Sequence, residues 1–328
     1  MTGPLIVAIP SKGRLQENTS LFFERSGLIV ERPGGDRNYR GRFRGLENVE
    51  IAFLSASEIS TELAAGGIHF GITGLDLVHE KMPDPADREA HIHPVLPLGF
   101  GQADVVLAVP DQWIDVDCMS DLTDVALDFR TGRKARLRVA TKYINLANAF
   151  FADRGFTDYR IVDSLGATEG APAAGAAEAI VDITTTGSTL RANNLRVLDD
   201  GVILRSEAHL MAAKTARWSS PTLAAAREIL LRIAAEQTAR RLKLLTIAGP
   251  VSDTLRAQME KQFKCQFPFD EGASGSTLLH CPKPAMFDVV NFLQSHDIAH
   301  IAVSEPEYVF TRDDSLFDAL KSTLPHLR

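Results

Sequence analysis

Short apolar runs, each followed by a segment of helical period, recur from the N-terminus onward and place the chain in the α/β class. Leu5–Ile9 (LIVAI) reads as a buried strand, and Gly13 opens a helix carrying Leu15, Leu21, Phe22 and Phe23. Val49–Leu54 (VEIAFL) reads as another strand. Ser55 or Ser57 caps the next helix, which carries Ile59 and Leu63 and stops at Gly66 and Gly67. Phe70–Thr73 is a short strand that leads through Gly74 into Leu75–Val78. Residues 82–94 (MPDPADREAHIHP) read as an exposed loop, and the spacing of His91 and His93 matches no standard metal motif. Val105–Val109, Arg138–Ala140 and Ala179–Ile183 are further strands, with a helix near Leu146–Phe151. Val197–Leu204 and His209–Ala213 read as a closing strand pair.

Thr222–Leu244 has the pattern of a long helix, with Leu223, Ala226, Leu230, Ile233 and Ala234 on one face and Glu228 and Arg232 opposite. Arg227 and Arg241 fall on or near the stripe. This helix reads as a linker. Beyond it, Leu244–Ala248 (strand), Val251–Phe263 (helix), Thr277–Cys281 (strand), Ala285–Gln294 (helix) and His300–Val303 (strand) resemble a ferredoxin-like βαββαβ unit, with Cys265–Phe269 as a further strand.

A chain of 328 residues holds two or three domains at about 100–200 residues each. A formal charge of −7 excludes a general nucleic-acid coat, which needs a strong positive field. Three widely spaced cysteines with no CxxC pair support neither a disulfide framework nor a zinc knuckle. Residues Met1–Pro4 lack a charged signal-peptide start, and no apolar run reaches the roughly 18 residues of a membrane span. The expectation is a cytoplasmic protein with no membrane and no nucleic-acid partner.

Glu169–Leu195 carries the clearest chemical pattern. The strand Ala179–Ile183 holds Asp182 and runs into Thr184, Thr185, Thr186, Gly187, Ser188 and Thr189, after which a helix begins. In an open parallel sheet ligands sit at the carboxyl ends of strands. Hydroxyls, backbone amides and a helix start there suit a phosphate, and Gly187 permits the tight turn. The segment lacks GxxxxGK[ST] and is no triphosphatase P-loop. Asp182 is placed to accept bonds from ribose hydroxyls. On composition alone, DITTTGST is equally a polar turn that caps a helix.

The segment resembles the signature of the ATP phosphoribosyltransferase family, the first enzymes of histidine biosynthesis. Its fixed positions are met by Glu169, Gly175, Ala177, Ile180, Asp182, Thr186, Gly187, Thr189 and Leu190. Ile9–Leu15 (IPSKGRL), Phe70–Val78 (FGITGLDLV), Leu98–Gly101 and Arg138–Tyr143 also look like family stretches. The resemblance is good over about 5–215 and weak from about 242.

The resemblance implies a reaction in which an adenine nitrogen of ATP attacks the anomeric carbon of 5-phosphoribosyl 1-pyrophosphate and pyrophosphate leaves, with Mg2+ sharing the charge. It implies that Thr184–Thr189 hold the ribose 5-phosphate, that Asp182 and Glu169 serve the ribose, and that Lys12 and Arg14 meet pyrophosphate or ATP phosphates. The residue-level alternative for Lys12 and Arg14 is a solvated helix start. Asp76 is assigned to the ATP side or to an N-terminal helix carboxylate. Tyr143 and Lys142 line the cleft or are ordinary surface residues.

The implied fold is α/β: a two-lobed, type II periplasmic-binding-protein-like core plus a C-terminal ferredoxin/ACT-like domain. Residues 1–100 and 196–220 are assigned to lobe I, 101–195 to lobe II, 221–241 to the linker helix and 242–328 to an ACT-like regulatory domain. Long-form members bind histidine there as a feedback inhibitor and form hexamers; a dimer is the other homo-oligomer considered. The tail departs from the family pattern, since its Ser-Pro-Thr tripeptide occurs only at Ser220–Thr222 and the C-terminus extends through Asp313–Arg328. Two other readings remain open: a two-lobed small-molecule-binding protein, and a catalytically silent regulatory subunit of the same fold.

Overall fold

The structure, a computed structural model, describes residues 3–33, 35, 38–164, 166–268 and 275–324. They fall into two compact units, one within 3–22, 30–223 and 319–324 and the other within 23–29 and 224–318.

In the first unit the chain runs β1 (Leu5–Pro10), α1 (Gly13–Arg25, whose last residues belong to the second unit), β2 (Val30–Glu31), β3 (Arg40–Phe43), β4 (Val49–Leu54), α2 (Ala56–Ala65), β5 (Phe70–Gly74) and α3 (Leu75–Lys81). It continues through α4 (Pro85–His91), β6 (Ile92–Pro97), β7 (Ala103–Pro110), α5 (Met119–Gly132), β8 (Leu137–Thr141), α6 (Ile144–Asp153) and β9 (Tyr159–Asp163). It closes with β10 (Ala179–Thr184), α7 (Ser188–Ala192), β11 (Leu195–Ser206) and β12 (Ala208–Ala213).

Among the described residues these strands make a seven-stranded sheet, β2-β3-β4-β1-β5-β12-β6, and a five-stranded sheet, β11-β7-β10-β8-β9. β1 pairs in parallel with β4 and β5, and its apolar run is buried because parallel strands are covered on both faces. The chain leaves the first sheet after β6 and returns to it at β12, so two crossings join the lobes, as expected of the two-lobed fold.

The boundary of the second crossing lies later than residue 196. β11 pairs antiparallel with β7 from Leu195↔Pro110 to Ser206↔Ala103, so it belongs to the five-stranded sheet, and lobe I resumes with β12. The expected strand pair Val197–Leu204 and His209–Ala213 is therefore two consecutive strands in different sheets. The pattern Leu195–Ser206 is compatible with either sheet, and only long-range pairing with β7 decides.

Residues 82–94 are also more ordered than a loop. The Asp84 side chain accepts from the Ala86 amide at 2.8 Å and Pro85 occupies the first helical turn, a standard helix start. No residue of α4 is buried, so it has no apolar period to read. β6 tolerates Pro94 and Pro97 because it is an edge strand. α2 begins as read: Ser55 and Glu58 form a capping box and Gly66 closes it in the left-handed conformation.

The second unit contains α8 (Ser220–Arg240, from Ala224 onward), β13 (Leu242–Ala248), α9 (Asp253–Phe263), β14 (Ser276–Pro282), α10 (Met286–Gln294), β15 (Ile301–Ser304) and the start of α11 (Ser315–Thr323). β14-β13-β15 is antiparallel, and Gln266 bridges the other side of β14 at His280. That is the ferredoxin-like strand order, with the expected strand around Cys265–Phe269 reduced to one bridge; Phe269 lies outside the described residues. Leu245, Ile247, Met259, Leu279, Val289 and Leu293 form its core. Cys265 and Cys281 are buried there as free thiols.

Candidate active site

β10 goes from buried to half-buried along its length, so Ala179–Val181 anchor the five-stranded sheet and Asp182 emerges at the carboxyl end. The Asp182 carboxylate accepts from the next amide, Ile183, at 2.8 Å. Burial raises its pKa above the ordinary carboxylate value. The Ile183 amide and the Lys142 ammonium pull it back, and the Glu169 carboxylate pushes it up. Glu169 sits half-buried in the single turn Thr168–Gly170.

The bend after β10 lies at the surface: Thr185, Thr186, Ser188 and Thr189 are exposed, and Thr184 and Gly187 half-buried. Its own side chains shape it. Thr184 Oγ1 accepts from the Gly187 amide at 2.9 Å, Thr186 Oγ1 donates to Ser188 Oγ at 3.0 Å, and Thr185 Oγ1 donates to the Gln102 carbonyl at 3.2 Å. Gly187 has φ 69°, the left-handed region that glycine enters without strain. A Cβ there would stand 2.9 Å from Arg191 Nη1. Arg191 is thus a cation beside the bend that sequence reasoning missed. The signal was its place one turn into the helix that Gly187 caps.

Lys12 and Arg14 stand exposed at the carboxyl end of β1 in the other sheet. α1 has no acidic residue in its first turn. Among the described residues, no hydrogen bond or ion pair joins either cation to the bend.

Asp76 and Tyr143 are brought together and lie inside the protein, 4% and 2% exposed. The Tyr143 hydroxyl donates to Asp76 Oδ2 at 2.8 Å and the Ser206 hydroxyl donates to Oδ1 at 2.7 Å. Ser206 Oγ in turn accepts from the Asp76 amide at 3.1 Å. Burial, then the Asp76 charge, drives the Tyr143 pKa up, so the phenol remains protonated. One turn on, the Glu80 carboxylate accepts from the Asn145 and Leu146 amides, both at 2.9 Å, and caps α6. α3 is therefore strapped from one lobe onto the first turn of α6 in the other. Ser206, missed from sequence, stands 130 residues from Asp76.

Among the described residues no cluster of three or more His, Cys, Asp or Glu side chains could hold a metal on its own, and no helix is long and apolar enough to cross a membrane.

A sequence model described as HisG, ATP phosphoribosyltransferase, matches residues 55–235. The chain is 50% identical over 326 residues to an ATP phosphoribosyltransferase of Rhodopseudomonas palustris strain HaA2, covering 99% of both chains. It is 51% identical over 323 residues to that of Nitrobacter winogradskyi, covering 98% of both. Both relatives thus extend through the region beyond residue 242. Among solved structures, an ATP phosphoribosyl transferase (HisG:HisZ) complex from Thermotoga maritima has a chain that superposes with TM-score 0.53 at 24% identity, covering 70% of this chain and 95% of that one, which shows the shared fold. With the signature residues at the end of β10, the two-lobed fold around them and half its sequence shared with such enzymes, the chain belongs to the ATP phosphoribosyltransferase family.

Proposed function

We propose that the chain performs its family's reaction with the bend of Thr184–Thr189 as the seat of the ribose 5-phosphate. The family activity is a pentosyl transfer, the first step of histidine biosynthesis. An adenine nitrogen of ATP forms a bond to the anomeric carbon of 5-phosphoribosyl 1-pyrophosphate, the bond from that carbon to pyrophosphate oxygen breaks, and pyrophosphate departs with the electron pair. The exposed hydroxyl bend beside a desolvated carboxylate at a strand end carries this reading.

The hydroxyls of exposed Ser188 and Thr189 donate to the 5-phosphate, those of Thr185 and Thr186 join them by turning away from the Gln102 carbonyl and Ser188 Oγ, and the Arg191 guanidinium adds charge beside them. Asp182 accepts from ribose hydroxyls and, with Glu169, orients the sugar for in-line attack. Lys12 and Arg14 meet the pyrophosphate or the ATP phosphates from the other lobe. Buried Asp76 and Tyr143 act as positioning residues. Asp182 and Glu169 fit Mg2+: the Glu169 charge raises the cost of ionising Asp182, and such a pair suits a cation that takes one or two protein carboxylates plus substrate phosphates. When bound, Mg2+ neutralises charge on the leaving pyrophosphate.

The protein is assigned to the cytoplasm as a homo-oligomer, hexamer or dimer, with histidine as feedback inhibitor at the ferredoxin-like unit. Mixing it with both substrates and Mg2+ tests the reading through the absorbance of phosphoribosyl-ATP and release of pyrophosphate. Turnover that Asp182→Ala removes supports it. Binding of both substrates without turnover overturns it in favour of a two-lobed binding protein.

A further inference from the structure

We propose that a cavity behind α3 binds a small organic anion, an apolar body bearing a carboxylate, and that this ligand acts on the catalytic unit through α3. The cavity measures about 430 Å3, within the usual size for small-molecule sites. Its apolar lining includes Val78, Ile92 and Met211. Its polar lining is mostly basic or imidazole: Arg88, Lys214, His79 and His93, with the exposed Glu89 as the carboxylate.

The charge there is only partly compensated: the exposed Asp84 carboxylate acts electrostatically on Arg88, and Glu89 stands exposed in the lining. Arg88 Nη1 donates to the Met82 carbonyl and Lys214 Nζ to the Glu89 carbonyl, both at 2.7 Å. Among the described residues neither makes an ion pair with a carboxylate. Both bonds hold the cations by neutral oxygens, so their charge persists at the wall. Arg88 acts electrostatically on His79 and Lys214 on His93. Two cations fixed over an apolar floor favour a ligand with one anionic end and one apolar end.

The location gives such a ligand leverage. At about 100° per residue, Leu75, Val78 and His79 lie on one side of α3 and Asp76, Leu77 and Glu80 on another. The first three line the cavity. On the second face, Asp76 takes the Tyr143 hydroxyl, Leu77 packs on the core of the five-stranded lobe, and Glu80 takes the first amides of α6. A ligand that shifts α3 therefore shifts the strap between the lobes. By linkage, any effect of the ligand on strap geometry returns as an effect of the strap on ligand affinity.

The probe is 4-iodobenzoate, tested by calorimetry and by anomalous scattering from soaked crystals. Wild-type protein is expected to bind it with iodine in this cavity, and Arg88→Gln with Lys214→Gln to weaken binding about tenfold or more. Equal binding in both proteins, no binding, or iodine elsewhere overturns the site; so does inorganic phosphate competing as strongly as the probe, which would mean charge alone is read. For the second half, the probe is expected to change kcat or KM in wild-type protein and not in the double variant. Occupancy with unchanged kinetics overturns the link through α3. This kinetic arm rests on the proposed activity, whereas the binding arm does not; protein without turnover that still binds iodobenzoate refutes the former reading only.

Discussion

The Tyr143 hydroxyl donates to the Asp76 carboxylate across 2.8 Å, joining the strand–helix junction of one lobe to the first turn of α3 in the other. Both groups are withdrawn from solvent, and Ser206 fills the other carboxylate oxygen. From sequence, Asp76 is assigned to the ATP side or to a helix N-terminal carboxylate, and Tyr143 to the cleft or to the surface; Asp76 does lie in the first turn of α3, Tyr143 is buried rather than at the surface, and the two together join the two lobes.

Tyr143→Phe removes one donor from a buried carboxylate and leaves its shape. A hydrogen bond to a charged group contributes about 1.5–3 kcal/mol, so urea unfolding is expected to show a loss of that order. Asp76→Asn in the same background tests the pairing. The two changes together should cost less than their sum, and strict additivity would show that the bond carries no coupling.

Gly187→Ala places a Cβ at a left-handed φ and 2.9 Å from Arg191 Nη1. Left-handed backbone costs a non-glycine residue about 1–2 kcal/mol, and Arg191 must move. Steady-state kinetics are expected to show KM for 5-phosphoribosyl 1-pyrophosphate raised about tenfold, with KM for ATP little changed. Equal rises in both would remove the bend from the phosphoribosyl side.

Asp182→Asn separates chemistry from stability. Folding raises the Asp182 pKa, so the proton is held more tightly in the native state. The native state is therefore penalised once the pH exceeds the unfolded value of 3.8, and the penalty persists at neutral pH. The variant is expected to lose about a hundredfold or more in kcat while melting higher than wild type at pH 7, with the difference narrowing as the pH falls toward 3.8. A lower melting point at pH 7 would contradict the desolvation account.

His79 titrates in the opposite sense. Burial, then the Arg88 charge, lowers its pKa from 6.5 to about 4, against an opposing pull from Asp76. Below pH 6.5 the unfolded chain takes a proton that the folded one refuses, so stability falls as the pH drops through this window. His79→Phe is expected to flatten the melting-temperature profile between pH 6.5 and 4, measured by scanning calorimetry.

Local sequence determined what local physics controls. LIVAI and VEIAFL are strands because short runs rich in apolar residues, broken only by the half-buried Glu50, are covered on both faces of a parallel sheet. Ser55 with Glu58 starts a helix and Gly66 ends it through bonds spanning only a few residues. The bend of Thr184–Thr189 was legible because its shape is made by its own hydroxyls and one glycine. α4 was read as loop: Asp84 and Pro85 mark a helix start, but its exposed faces gave no period to read.

Tertiary structure decided what depends on partners far along the chain. β11 could join either sheet until β7 claimed it. Asp76, Tyr143 and Ser206 are separated by 67 and 130 residues, and no pattern within a window announces that they share one buried hydrogen-bond network. The same separation hid the cavity behind α3, whose cations come from α4 and the end of β12. Spacing along a chain reports the period of one element, whereas burial and charge convergence arise only when several elements pack.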